Sequence, residues 1–175
     1  MSGPIDQLIG DHSKVKRLFN QWSHLGGTEP GMETALAITS LLKVHTTLEE
    51  ELVYPVLRRF DDGLATEAEH EHAQAKEIIA SIEAMPADSS ATVQETHDSH
   101  PGMVDAMHRL EAAVLRHVEE EESVIFPKLQ AGCSAEELDT MGHAMYARRQ
   151  QLLGAEHQGA TETQIGNTGM GAPKI

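Results

Sequence analysis

Apolar residues recur along this chain at three- and four-residue steps, the period of a helix with one buried face. Ile5, Leu8, Val15, Phe19 and Trp22 form the first stripe, with Leu18 beside it, and predict a helix over about 5–23. Gly26-Gly27 and Pro30-Gly31 then mark a loop. Ile38, Leu41, Leu48 and Leu52 predict a second helix over about 32–59. A kink or break is expected near Pro55, because proline lacks a backbone donor and crowds the turn before it. Asp61-Asp62-Gly63 closes this segment. Ala65, Ala68, Ala75, Ile79 and Ile82 predict a third helix over about 65–84. From Pro86 to Pro101 the chain is rich in Ser, Ala, Asp and Thr with no period, as in a long surface loop. Met103, Met107, Leu110, Val114 and Val124 predict a fourth helix over about 102–129. A fifth, over 135–153, follows Ser134, a residue suited to N-capping. Residues 154–175 are Gly- and Thr-rich and are expected to form a disordered tail behind one domain of residues 1–153. No period-two alternation competes. The expected fold is all-α: an antiparallel four-helix bundle with an added C-terminal helix.

Polar residues interrupt these stripes. His12 lies on the first, His45 and Glu49 on the second, His72 on the third, and His117 and Glu121 on the fourth. The stretches His45 to Pro55 and His117 to Pro127 both read His-x-x-x-Glu-Glu-x-apolar-apolar-aromatic-Pro. Residues four apart share a helix face, so each copy projects an imidazole and a carboxylate the same way. The first and third helices echo each other too. Asp11 to Phe19 and Glu71 to Ile79 both read acid-His-x-x-small apolar-Lys-x-apolar-apolar. The chain is therefore one helical hairpin written twice. The parallel selects His72 over His70, which lies about 200° away around the helix.

A buried carboxylate without a partner is costly, and no Lys or Arg shares the stripes near Glu49 and Glu121. A bound metal removes that cost. His and carboxylate donors without thiolate, six across two ions, suit octahedral-leaning iron or manganese better than closed tetrahedral zinc. Two Glu on facing helices can bridge a metal pair while each ion takes two His. That leaves positions open for a small ligand. The Glu-x-x-His spelling of ferritin-like sites occurs as Glu67–His70 and Glu69–His72, but only on the third helix.

At 175 residues the chain fits a single core. Its net charge of −15 and pI near 5.0 make a phosphate backbone an unfavourable partner, so no nucleic acid is expected. Cys133 is the lone cysteine, which suits a reducing compartment. With no signal-like N-terminus and no membrane-spanning run, a cytoplasmic location away from membranes is expected. His108 lies nine residues from His117 and so on the opposite face, which argues against a second cluster with His97 and His100. Glu119 to Glu122 reads as a solvated acidic face around an inward Glu121, and Lys16 and Lys76 as side chains reaching the bundle rim.

Over roughly residues 5–129 these paired motifs resemble the hemerythrin-like, or HHE cation-binding, domains. The resemblance implies two iron ions, oxo- or hydroxo-bridged, in a four-helix bundle. It implies that His12 and His45 hold one iron, His72 and His117 the other, and that Glu49 and Glu121 bridge them. The chain departs from the oxygen-carrying members twice. Lys76 stands where their third helix has the second His of His-x-x-x-His. Their His-x-x-x-x-Asp is here His117-x-x-x-Glu121, with Glu122 as the alternative. Fewer ligands leave each iron more open. The expectation is an oxidoreductase that consumes hydrogen peroxide in peroxidase- or catalase-like fashion, with nitric oxide as a candidate co-substrate and an unspecified reductant. The alternative is oxygen or nitric oxide binding, storage or sensing without turnover. Tyr54 aligns with Phe126, so the copies differ by one phenol hydroxyl. Ideal helix geometry points Tyr54 away from the His45–Glu49 face, as a packing aromatic. A kink at Pro55 would swing it toward an open iron position, where it becomes a candidate catalytic residue.

Overall fold

A computed structural model describes residues 2–85 and 101–165. The helices are α1 (Pro4–Leu25), α2 (Glu29–Leu48), α3 (Tyr54–Leu57), α4 (Asp62–Glu83), α5 (Pro101–Glu120), α6 (Phe126–Gly132) and α7 (Ala135–Ile165). A π-helical turn, Glu49–Val53, joins α2 to α3, and another, Glu121–Ile125, joins α5 to α6. The rods are thus α1, α2–α3, α4 and α5–α6, an all-α bundle, with α7 as the fifth helix. α1 packs on α2 and α4 on α5, while α7 lies against α1, α2 and the first π turn. The loop expected over 86–100 lies outside the described residues. So do residues 166–175; α7 runs past Leu153 to Ile165, where a tail was expected to have begun.

Local chemistry fixes the helix ends. Pro4 opens α1 without an amide to leave unpaired, and the Asp6 carboxylate accepts the Gly3 N–H at 3.3 Å. Gly26, at φ 54°, turns the chain out of α1, a left-handed position that glycine occupies without a Cβ penalty. The Thr28 hydroxyl caps α2 and the Asp61 carboxylate caps α4. Ser134 and Glu137 exchange bonds at 2.8 and 3.2 Å as a capping box for α7.

The stripes of α1 and α4 are buried as the periodicity predicts. In the second and fourth rods the inner face shifts after the conserved-in-repeat Glu. Val124, expected inside, is 43% exposed, and Ile125 is fully buried in its place. The π turn is the cause. The N–H of Tyr54 reaches back five residues to the Glu49 carbonyl, and that of Phe126 to the Glu121 carbonyl. Pro55 and Pro127 follow directly, each lacking an N–H and crowding the carbonyl four residues back. One extra residue is wound into the turn, and everything after it rotates by one position. Val53, Tyr54 and Leu57 therefore face the core in one rod, and Ile125, Phe126 and Leu129 in the other.

The apolar core is in two parts. One gathers Leu48, Tyr54, Leu57, Phe126 and Leu129 with Met141 and Met145 of α7. The other gathers Phe19, Trp22, Ile38, Ile79, Met107 and Leu110. Between them lies a polar layer. No helix among the described residues is long and apolar enough to cross a membrane.

Candidate metal centre

The polar layer is made of the residues that interrupt the stripes: His12, His45, Glu49, His72, His117 and Glu121, all buried. His12 and His45 meet Glu49 and Glu121 in one group of potential ligand atoms lying within 4.8 Å of one another. Glu49, His72 and His117 form a second group by the same measure. Glu49 belongs to both. Its Oε2 lies 3.1 Å from His45 Nε2 and 3.3 Å from His72 Nε2. Glu121 Oε2 lies 3.1 Å from His12 Nε2 and 3.6 Å from His117 Nε2. His70 is exposed and bonds to Gln74, away from the layer. His108 packs edge-on against Trp22; His97 and His100 lie outside the described residues.

The outer nitrogens of the four imidazoles each meet a carboxylate, in a pattern that follows the repeat. His45 Nδ1 bonds to Asp11 at 3.3 Å and His117 Nδ1 to Glu71 at 2.9 Å, each acid preceding the His of its hairpin's first helix. His12 Nδ1 bonds to Glu122 at 2.9 Å and His72 Nδ1 to Glu50 at 3.0 Å, each acid following an inward Glu. Each of these acids holds a cation in turn: Arg149 on Asp11, Arg116 on Glu71, Lys16 on Glu122 and Lys76 on Glu50. Glu122 is therefore a support for His12, and Lys16 and Lys76 do more than reach the rim. The sequence displays these acids as repeated neighbours of the histidines. That adjacency was the available signal for their role.

A carboxylate on Nδ1 fixes the proton there and leaves the Nε2 lone pair facing inward. His72 Nε2 and His117 Nε2 then face each other at 2.9 Å, an arrangement favourable only with a cation or proton at hand. His12 Nε2, both Glu49 oxygens and Glu121 Oε2 are buried without a hydrogen bond, although several lie close together. They converge on shared space rather than on one another. Burial keeps the imidazoles of His45 and His72 below their usual pKa, so both are neutral donors. Burial, then the charge of Glu121, pushes Glu49 well above the carboxylate range. Burial opposes ionisation of Glu121 as well, but the close His12, with the His117 and His45 imidazoles around it, favours its ionised form and lowers its pKa. A protein that buries two carboxylates and four inward imidazole lone pairs fits a cationic metal pair.

Tyr54 is fully buried, and the π turn carries its phenol into the layer. Its Oη lies 3.0 Å from His72 Nε2, 3.3 Å from His117 Nε2 and 3.5 Å from Glu121 Oε1. Burial, then the charges of Glu49 and Glu121, raises its pKa well above normal, so without a cation the phenol stays neutral. Its counterpart Phe126 stacks on His12, with ring centroids 5.6 Å apart. A cavity of about 30 Å³ borders the four histidines, walled by Val15, Leu41, Leu42, Ala75, Val114 and Val118 among others.

This chain belongs to the hemerythrin HHE cation-binding domain family, whose model matches residues 3–129. A crystal structure of an HHE cation-binding domain-containing protein from Mycobacterium kansasii superposes with a TM-score of 0.71 at 22% identity, covering 97% of this chain and 96% of that one. That likeness shows the fold. The chain is also 29% identical over 159 residues to a DNA nickase of Nostoc sp. (strain PCC 7120 / SAG 25.82 / UTEX 2576). The match covers 89% of this chain and 42% of the nickase, so this chain spans less than half of that relative's length.

Proposed function

We propose that the chain is a non-haem di-iron protein that consumes hydrogen peroxide, with nitric oxide as a candidate co-substrate. His12, His45, Glu49 and Glu121 would hold one iron, and Glu49, His72 and His117 the other, with Glu121 reaching across as a second bridge. Bound iron supplies electron transfer and Lewis acidity. The chain's own groups do the rest. The Asp11, Glu50, Glu71 and Glu122 carboxylates hold the four imidazoles in the ligating tautomer. The phenol of Tyr54 places a hydrogen-bonding group beside His72 and His117.

The observation that carries the reading is the cavity beside the four histidines. At about 30 Å³ it has room for a molecule little larger than water, and its walls are mostly apolar. That room suits peroxide, nitric oxide or oxygen. Electrons from a larger reductant would have to cross the protein shell. Nicking of DNA by the Nostoc relative is not carried over, because a net charge of −15 opposes a phosphate backbone.

Iron-loaded protein mixed with excess peroxide tests the proposal. Sustained loss of peroxide over many equivalents per chain is expected. A stable, reversible one-to-one adduct with oxygen or nitric oxide, and no peroxide turnover, would favour the binding or sensing alternative.

A further inference from the structure

We infer that α7 belongs to the metal centre, and that Arg149 is a positioning residue that holds His45 through Asp11. The inference rests on the reading of His45 as a metal ligand.

The cations on the outer acids are Lys16 and Lys76, at equivalent positions of the two copies, then Arg116 and Arg149. Arg116 precedes His117 within the second copy. The equivalent residue before His45 is Val44, which is buried and packs in the core part that includes Met141 and Met145. The first copy thus cannot supply its own cation to Asp11. α7 covers that face and delivers Arg149 instead. The two Arg contacts are unequal. Arg116 meets Glu71 through Nε at 3.1 Å with 62% of its side chain exposed. Arg149 meets both Asp11 oxygens, at 2.7 and 3.1 Å, with 18% of its side chain and 13% of Asp11's exposed. A two-point, shielded contact fixes a carboxylate; an exposed one-point contact is screened.

Among the described residues Asp11 has no other cation on it, and its remaining partner is His45 Nδ1. The neighbouring Arg148 makes its own two-point contact, to Glu51 of the first π turn, at 2.7 and 2.8 Å. It pins α7 without touching a histidine's support. The adjacent arginines therefore separate docking of the helix from positioning of the ligand.

The test uses full-length protein reconstituted with ferrous iron, with iron affinity measured by chelator competition and the ferric spectrum recorded. Arg149→Ala should weaken iron binding about ten- to a hundredfold, the usual range for loss of a ligand's support, and should shift the spectrum. Arg149→Lys should recover part of the loss. Arg148→Ala, whose contact touches no histidine's support, should stay near wild type in both readouts. Asp11→Asn, which keeps the side chain's shape and the Arg148 clamp, should reproduce the Arg149→Ala loss, and the double variant should lose little more. Arg149→Ala matching Arg148→Ala in affinity and spectrum would overturn the inference, as would fully additive losses in the double variant. A wild-type chain that takes up no metal would overturn it together with the reading on which it rests; loading of wild type with an unaffected Arg149→Ala overturns it alone.

Discussion

Glu49→Gln should empty both metal positions at once. Glu49 is the residue shared by the two ligand groups, its Oε2 within 3.3 Å of imidazoles from both hairpins. Gln keeps the shape but supplies a neutral amide that neutralises no metal charge. Iron per chain should fall close to zero, whereas a His117→Ala variant, which touches one group, should retain about half. Stability should move oppositely in the two states. The metal-free variant should melt no lower than metal-free wild type, because a carboxyl that burial pushes well above its usual pKa has been replaced by a neutral group. With iron present, wild type should gain about 4 kcal/mol at a thousandfold excess over Kd, on the order of 10 °C for a chain of this size. The variant should gain none of it. Thermal melts with and without iron, alongside metal content, read both effects. Retention of two irons by Glu49→Gln would contradict the shared-ligand assignment.

Tyr54→Phe should change the chemistry and leave the metal count intact. The ring fills the same fully buried space, so packing is kept and only the hydroxyl beside His72 and His117 is lost. Because the phenol stays neutral without a cation, any visible charge-transfer band from phenolate should appear only on ferric loading and vanish in the variant. Peroxide turnover should fall by about a hundredfold, the scale for removing one positioned proton donor. Phe126 offers the natural comparison, since it shows that a phenyl ring fits the equivalent position against His12. An unchanged spectrum and unchanged turnover in Tyr54→Phe would make the hydroxyl a packing detail.

Much of this arrangement can be read in the sequence because the stripes are regular up to the inward Glu. α1 and α4 bury the residues their period predicts, and His12 and His72 appear as polar residues in otherwise apolar columns. After Glu49 and Glu121 the period fails. A proline announces a disturbance but does not say whether the chain bends, breaks or takes one more residue into a turn. Here it takes one more, which moves Val124 out and Ile125 in. The same step turns Tyr54 inward, where a straight helix would have aimed it away. The outer acids are less legible in the sequence. Asp11, Glu50, Glu71 and Glu122 sit next to ligand candidates in the chain, yet each serves a histidine on a different helix from its own. Helical period specifies which face a residue occupies, not which neighbour it reaches. Arg149 is further still, because its role depends on where α7 docks, and the sequence of the fifth helix carries no such information.

The buried histidine and glutamate layer is proposed to hold a metal pair. Metal analysis of the purified chain, expressed with ample iron and recorded with its optical spectrum, tests it most directly. About two irons per chain are expected, with little zinc and a ferric spectrum that disappears with chelation. Full zinc occupancy under those conditions, or a chain that is stable and free of any metal, would contradict it.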